Sequence, residues 1–191
     1  MMRRLRSVLG RPWVIGALTV AVAAGGFGAY WFQPWKLWQE ETVNEALPGA
    51  VSAPVPSTGE PADGTPSPSA SAAGPLTLAS GGLISHEHTT SGTVRLLRLT
   101  DGSHIVRVEN LATSNGPDLR VWLSDAPVKS GTAGWHVFDD GEYVSLGKLK
   151  GNKGSQNYEV PADVDPSRYT SVSIWCDRFD VSFGAAELTR V

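Results

Sequence analysis

The feature that most constrains this chain is an uncharged apolar stretch from Pro12 to Pro34. It is long enough to cross roughly 30 Å of hydrocarbon as one helix. Four arginines precede it, whereas one lysine and three glutamates follow it as far as Glu45. Because arginine and lysine accumulate on cytoplasmic flanks, we expect residues 12–34 to be a single-pass anchor in the plasma membrane. The N-terminus would be cytoplasmic and the C-terminal part extracytoplasmic.

A cleaved signal peptide is the alternative interpretation of the same stretch. Ala21, Val22 and Ala23 supply the small residues that a cleavage site needs. Apolar character continues past that point into an aromatic cluster, which would leave a mature chain beginning with exposed rings. We therefore favour the uncleaved anchor, and under either interpretation the rest of the chain is exported.

Composition divides the chain into three regions. Residues 1–45 hold the cytoplasmic tip, the transmembrane anchor and a juxtamembrane segment. Residues 46–75 contain seven of the thirteen prolines among Ala, Ser, Thr and Gly, and have too little apolar surface to offset their ordering entropy. We predict that they form a disordered linker that spaces the domain from the membrane. Residues 76–191 have the composition of a folded extracytoplasmic domain with one core.

Charge excludes one class of partner. Five basic and five acidic residues lie in the chain through Pro75, and eleven basic and fourteen acidic residues follow, so the net charge of −3 belongs to the exported region. Nucleic-acid binding requires a basic surface to replace phosphate counterions. We therefore expect no nucleic-acid partner.

Short segments with strand composition recur through residues 76–191. Some alternate between apolar and polar residues, as half-buried strands do. Others are continuously apolar, as strands buried on both faces are. Asp101-Gly102 between two of them is typical of a tight hairpin turn. We predict an all-β fold, an antiparallel β-sandwich of about eight strands. The segments lie at 92–99, 105–108, 119–123, 143–146, 158–161, 171–176 and 180–188.

Cys176 is the single cysteine, so the exported domain cannot close an internal disulfide. Val172, Ile174 and Cys176 alternate onto one face, and the alternation changes phase at 177–178, which predicts a turn or bulge there. We expect Cys176 to face the core at the end of its strand. The residues alone leave two roles open, a packed apolar thiol or a redox centre.

Several blocks between Gly82 and Leu188 follow one another in a specific order. Together they resemble the electron-transfer DM-thirteen domain family, and they cover essentially the whole exported domain. The blocks are His86-Glu87-His88, Ser91-Gly92-Thr93-Val94, Ser114-Asn115-Gly116-Pro117-Asp118-Leu119, Val121, Leu123-Ser124, Leu146-Gly147-Lys148-Leu149-Lys150-Gly151, Gly154-Ser155-Gln156-Asn157-Tyr158, Val160-Pro161, Ser173-Ile174-Trp175-Cys176, Phe179, Val181, Phe183-Gly184, Ala186 and Leu188.

The resemblance implies an extracellular β-domain whose signature cysteine, here Cys176, acts in redox chemistry. The thiol would act bare or by binding a prosthetic group such as haem. Covalent c-type haem is excluded because no Cys-x-x-Cys-His occurs. In animal members the domain often accompanies a haem- or sugar-binding DOMON domain. We expect any such partner here to be a separate redox or surface protein.

His86 and His88 are the other candidate cofactor ligands. Two residues apart on a strand, they would share one face and could bind a metal together. A histidine could also be the second axial ligand of a non-covalent haem bound by Cys176. Further metal ligands of suitable kind are few, namely Glu87, His104 and His136, so a solvated face is the stronger interpretation and we predict no metal site.

Two functions from different classes remain. The first is a membrane-tethered electron-transfer or thiol-redox module centred on Cys176. The second is a non-catalytic surface-binding or adhesion module in which Cys176 packs the core. No nucleophile elbow or phosphate-binding loop occurs, so we do not expect a classical enzyme.

Overall fold

The computed structural model describes residues 12–49 and 74–191, and over these the chain forms one α-helix, three short 3₁₀ helices and eleven strands. The helix α1 spans Pro12–Phe32, and the 3₁₀ helices span Pro34–Trp38, Gly131–Gly134 and Pro166–Arg168. The strands are β1 Thr42–Asn44, β2 Leu76–Gly82, β3 Ile84–Ser85, β4 Ser91–Arg98, β5 His104–Ala112, β6 Leu119–Ser124, β7 Tyr143–Lys148, β8 Lys153–Val160, β9 Ser171–Cys176, β10 Val181–Glu187 and β11 Thr189–Arg190.

The helix α1 is long and apolar enough to cross a membrane. It has 21 residues and a mean hydropathy of 1.6, and none of its residues is buried against the rest of the chain. Exposed apolar side chains on every face are costly in water, so the helix requires an apolar environment. An N-terminal signal sequence has the same length and composition, and the helix by itself does not distinguish the two.

The strands form two sheets, as the alternation of the sequence predicts. The first has six strands in the order β1-β8-β5-β4-β2-β11, and the second has five in the order β3-β10-β9-β6-β7. All pairs are antiparallel except β1 with β8, which are parallel. Eight of the strands have six or more residues, and seven of these overlap the seven predicted segments. The eighth, β2, was not among those segments. The predicted all-β sandwich is confirmed.

The main core lies between the two sheets. Val94, Leu96 and Val106 from the first sheet pack in one cluster with Val121 and Ile174 from the second. A second cluster covers the outer face of the second sheet, where the 125–142 loop lays Phe138 over Trp122 and Trp175. Strand β9 is consequently buried on both faces along its whole length.

Strand β1 lies on the N-terminal side of the predicted linker, yet it belongs to the first sheet. Val43 pairs with Gly154, whose positive φ of 97° and lack of a side chain let the β1 backbone approach closely. Only residues 33–41 separate α1 from this strand. The sequence predicts a domain at 76–191, with the linker between anchor and domain. In the structure β1 joins the same sheet as β2, so that sheet also includes residues 42–44. The role of the linker as a spacer stays a prediction.

Residues 50–73 of that linker lie outside the described residues, and their predicted disorder stays a prediction. The described residues on either side of it lie close together: a Cβ built on Gly49 would be 3.7 Å from Pro75 Cγ.

Glu45, directly after β1, fixes the strand to the sheet. Its carboxylate accepts hydrogen bonds from Lys150 Nζ at 2.7 Å and from the Asn157 backbone N–H at 2.7 Å. Its backbone carbonyl accepts one from Arg107 Nη1 at 3.2 Å. Partial burial opposes ionisation, but the Lys150 ammonium and the Asn157 N–H outweigh it, so the pKa of Glu45 lies below its usual value.

We predict that Glu45→Gln lowers the free energy of unfolding by about 0.5–1 kcal/mol, a value that allows for solvent screening of the ion pair. The ionised Glu45 carboxylate contributes to the free energy of unfolding above its ordinary pKa of 4.5. That contribution is lost as pH falls through the lowered folded-state pKa. Urea unfolding of the full chain in detergent, at neutral pH and at pH about 3, measures both effects.

Glu40→Gln is the matched control, because Glu40 forms one exposed ion pair with Lys153 and no backbone hydrogen bond. Its effect should stay within about 0.3 kcal/mol. Equal effects of the two substitutions would contradict the anchoring role of Glu45.

Candidate functional site

Cys176 is the last residue of β9 and is completely buried, with 0% of its surface exposed. Its cross-strand partners are Leu119 on β6 and Val181 on β10, and it packs in the main core. A turn at 177–180 follows it, with Asp180 at a positive φ of 50°. The predicted core-facing cysteine at a strand end, and the predicted phase change after it, are confirmed.

Two opposing influences act on the Cys176 thiol. Burial raises its pKa, and the nearby Glu87 carboxylate raises it further. The backbone N–H groups of Arg178, Phe179 and Asp118 act in the other direction, since they stabilise negative charge on sulfur. Burial prevails, and the pKa of Cys176 lies above its ordinary value. The resting group is therefore a thiol.

The turn after Cys176 contacts the C-terminal end of α1. Arg178 Nη1 donates a hydrogen bond to the backbone oxygen of Trp31 at 2.6 Å, and its guanidinium lies 5.1 Å from the centre of the Trp31 ring. The rings of Phe179 and Phe32 stack with their centroids 5.7 Å apart. A cation at the unsatisfied carbonyls of a helix C-terminus is electrostatically favourable. The Cys176 end of the sandwich therefore sits on the end of the apolar helix.

A cavity of about 210 Å³ lies at this junction. One side is formed by residues that end or follow α1, and the other by three loops and a strand of the domain. The lining residues are Phe32, Gln33, Pro34, Lys36, Glu87, His88, Asn115, Gly116, Pro117, Phe179 and Phe183. Cys176 does not line the cavity, but Phe179, whose N–H donates to the Cys176 carbonyl at 3.2 Å, forms part of its wall.

His86 is buried and uses both ring nitrogens within the protein. Nε2 lies 3.0 Å from the Lys129 carbonyl, which can only accept, so Nε2 carries the proton. Nδ1 therefore accepts from the Ser182 hydroxyl at 2.8 Å, and Ser173 bonds to Ser182 at 2.9 Å. Burial lowers the pKa of His86 more than the Lys129 contact raises it. His86 fastens the 125–142 loop to the second sheet.

His88 occupies a different place. Its ring lies over Phe183 at 3.9 Å between centroids and lines the cavity, whereas the His86 ring stacks on Phe138 in the outer cluster. The two histidines were expected on one face as possible joint ligands, and the structure does not bring their rings together. Within residues 12–49 and 74–191, no group of three His, Cys, Asp or Glu side chains could hold a metal ion.

The described residues do not fit a haem held by Cys176. Its sulfur has no exposed surface, and both nitrogens of His86 already have partners. The cavity is also smaller than the roughly 300–1,000 Å³ of pockets for drug-sized ligands. Chemistry at this site therefore rests on the thiol and on what the small cavity admits.

The sequence analysis missed an ion-pair network beside Cys176. Arg120 pairs with Asp118 at 3.2 Å and with Asp177 at 3.2 Å, and Lys148 lies 3.6 Å from Asp118. The network joins the 113–118 loop to the turn after β9, and the Asp177 N–H also donates to the Asp118 carbonyl at 3.0 Å. It holds together the two segments that flank the Cys176 end of β9.

A stack of aromatic rings was also missed. Trp175, next to Cys176, stacks on Trp122 at 4.7 Å, and Trp122 stacks on Tyr143 at 4.0 Å. Tyr143 is 44% exposed. The alternation of β9 places Trp175 on the face opposite Cys176, where the second cluster covers it. The signal that could have revealed the second core was the rarity of charge in the 171–176 and 119–124 segments.

We predict that protonation of His86 destabilises the fold. The pKa of His86 is lower in the folded chain than in the unfolded chain. The stability that neutral His86 contributes is therefore present above the unfolded pKa of about 6.5 and is lost as pH falls through the folded-state pKa. His86→Gln should be less stable than wild type at pH about 8 and should lose less stability on acidification. Urea unfolding between pH about 8 and 5 measures the difference in slope. His104→Gln is the control, and a parallel pH profile of His86→Gln and wild type would refute this prediction.

Comparison with known proteins adds the family. The family model described as "Electron transfer DM13" matches residues 82–188, which include β3 through β10, Cys176 and nearly all of the domain side of the cavity. No curated protein and no solved structure matches the chain. The matched region covers more than half of the sequence and the whole of the second sheet. The chain belongs to the electron transfer DM13 family.

Proposed function

We propose that this protein is a membrane-tethered, extracytoplasmic electron-transfer or thiol-redox module with Cys176 as its redox centre. The observation that carries the proposal is the position of the one cysteine, at the end of β9 within the region that matches the electron transfer family. It stands directly before the turn whose Arg178 and Phe179 contact the end of α1. The backbone amides of Asp118, Arg178 and Phe179 lower the pKa of the thiol, although burial outweighs them.

A single cysteine sets the form of any thiol chemistry. Cys176 would lose its proton, attack a disulfide of a second molecule and form a mixed disulfide, with release of that molecule's other sulfur as a thiolate. A thiolate of a reduced partner would then attack the other sulfur of the mixed disulfide, form a new disulfide with it and release Cys176 as a thiolate. Electrons would thereby pass from that thiolate to the first disulfide, and separate redox or surface proteins supply every other sulfur in the cycle.

Burial selects which molecules reach the thiol. With no exposed surface and a raised pKa, Cys176 is protected from charged oxidants in water. Access requires movement of the 177–180 turn, which is 38% exposed at Phe179 and is held to residues 31 and 32 of α1. Residues 12–34 tether the module to the membrane in this proposal, with the domain outside the cytoplasm. Access to the thiol would then be controlled at the membrane surface.

A second candidate is favoured by the same burial. Cys176 sits among Leu119, Val181 and Phe183 as a small apolar residue would, and free cysteine is often found in cores. In that case the domain is a non-catalytic surface-binding or adhesion module. The two candidates differ in whether the folded thiol ever reacts.

Thiol kinetics on the full chain in lipid vesicles separate the candidates. We predict that the neutral reagent dithiodipyridine modifies folded Cys176 at least about tenfold faster than global unfolding occurs, while a dianionic aromatic disulfide reacts much more slowly. The neutral reagent enters between the turn and α1, and the dianion is excluded by the apolar wall and by Glu87. Stopped-flow absorbance follows the released thione.

Two controls fix the interpretation. A Cys176→Ala, Ser103→Cys chain carries an exposed thiol at residue 103 and should react rapidly with both reagents. Phe179→Ala removes a stacked contact that holds the turn and should accelerate reaction at Cys176 with the neutral reagent. If Cys176 reacts with neither reagent until the chain unfolds, the redox proposal fails and the binding module stands.

A further inference from the structure

We propose that the cavity at the end of α1 binds the ring of a membrane-soluble quinone. The inference rests on the proposed electron-transfer function and names the class of small molecule that its membrane end would take. It concerns binding in a cavity that Cys176 does not line, and it can be tested without Cys176.

Location is the first argument. Phe32 ends α1, and Gln33, Pro34 and Lys36 follow it directly. With α1 across the bilayer, these residues and the cavity they line lie at headgroup level, where amphipathic rings accumulate. A ligand dissolved in the bilayer reaches this cavity without crossing water.

The walls favour a flat ring. Phe32 and Phe179 stack at 5.7 Å, and Phe183 carries the tilted His88 ring at 3.9 Å. Aromatic walls of this kind are suited to stacking a planar ring of one or two cycles. The volume of about 210 Å³ admits a ring of that size, while a tail would extend toward α1 and the lipid.

Two donors on opposite sides require acceptors in the ligand. From the domain side, His88 Nε2 lies 3.8 Å from the Glu87 carboxylate, which is beyond hydrogen-bond distance. From the membrane side, Lys36 Nζ makes one long bond of 3.4 Å to the Pro117 carbonyl. Among the described residues neither side chain has a closer partner. A quinone has a carbonyl at each end of its ring and can accept from both.

Other membrane molecules fit less well. An acyl chain offers no acceptor to either donor, and its flexible form gains little from stacked rings. A phosphate headgroup would meet the Glu87 carboxylate and three phenylalanine rings, which oppose a dianion. The combination of aromatic walls with two donors therefore selects a ring that carries carbonyls.

Isothermal titration of the full chain in detergent micelles with decyl-ubiquinone tests the proposal. We expect saturable binding of one ligand per chain. Decylbenzene, which keeps the ring and tail but lacks the carbonyls, should bind at least about tenfold more weakly. Equal binding of the two ligands would show that the cavity takes any apolar ring, and no saturable binding would remove the site altogether. Either result overturns the proposal.

Variants locate the ligand. His88→Phe keeps a ring over Phe183 but removes the donor, and Lys36→Met removes the other donor. Each should weaken decyl-ubiquinone binding by about tenfold and leave decylbenzene unaffected. His104→Phe, at the start of β5 and away from the cavity, should change neither. Unchanged quinone binding in both cavity variants would contradict the assignment.

The same titration in Cys176→Ala separates this inference from the proposed function. Cys176 does not line the cavity, so binding should persist in that variant. Quinone binding together with an inert folded thiol would overturn the redox role of Cys176 and support the quinone site. A reactive folded thiol without quinone binding would support the redox role and overturn the quinone site.

Discussion

The pairing of β1 with β8 determines the arrangement of the rest of the molecule. Three residues on the N-terminal side of the linker add to the edge of the first sheet, and Glu45 fixes them there through Lys150 and Asn157. Because only residues 33–41 lie between α1 and β1, the sandwich is held close to the end of the helix. The contacts of Arg178 and Phe179 with α1, and the cavity beside them, follow from that short connection.

The chemistry of Cys176 is a balance between a core that favours the neutral thiol and loops that favour the thiolate. Burial prevails at rest, so the thiol is stored in an unreactive form. The Asp118–Arg120–Asp177 ion pairs join the two segments beside it. Since the same turn also touches α1, a small displacement at the helix end would change both exposure of the sulfur and the shape of the cavity.

Sequence reasoning reached the sandwich and the position of Cys176 because both follow from local alternation. The Asp101-Gly102 hairpin and the phase change after Cys176 are signals of short range. The location of β1 could not be predicted in this way, because its pairing with β8 joins residues more than a hundred positions apart. A three-residue strand without strong alternation carries no local signal, and the proline-rich segment after it suggested a spacer.

The candidate site was recovered only in part for a similar reason. The placement of His86 and His88 on one face assumed a regular strand, whereas β3 ends at Ser85 and the two rings enter different clusters. The second core around Trp122 and Trp175 depends on how the 125–142 loop folds back, which no periodicity encodes. The cavity needs residues from before and after the linker, so only the folded chain reveals it.

The oxidation state of Cys176 in native membranes is the most direct test of the central claim, that this thiol is a redox centre. Membranes are acid-quenched, free thiols are blocked, and reducible cysteine is then labelled with a second alkylating agent and read by mass spectrometry. The account predicts that a fraction of Cys176 is in a reducible form and that this fraction rises when the cells are exposed to an oxidant. A Cys176 that stays entirely a free thiol under both conditions would contradict it.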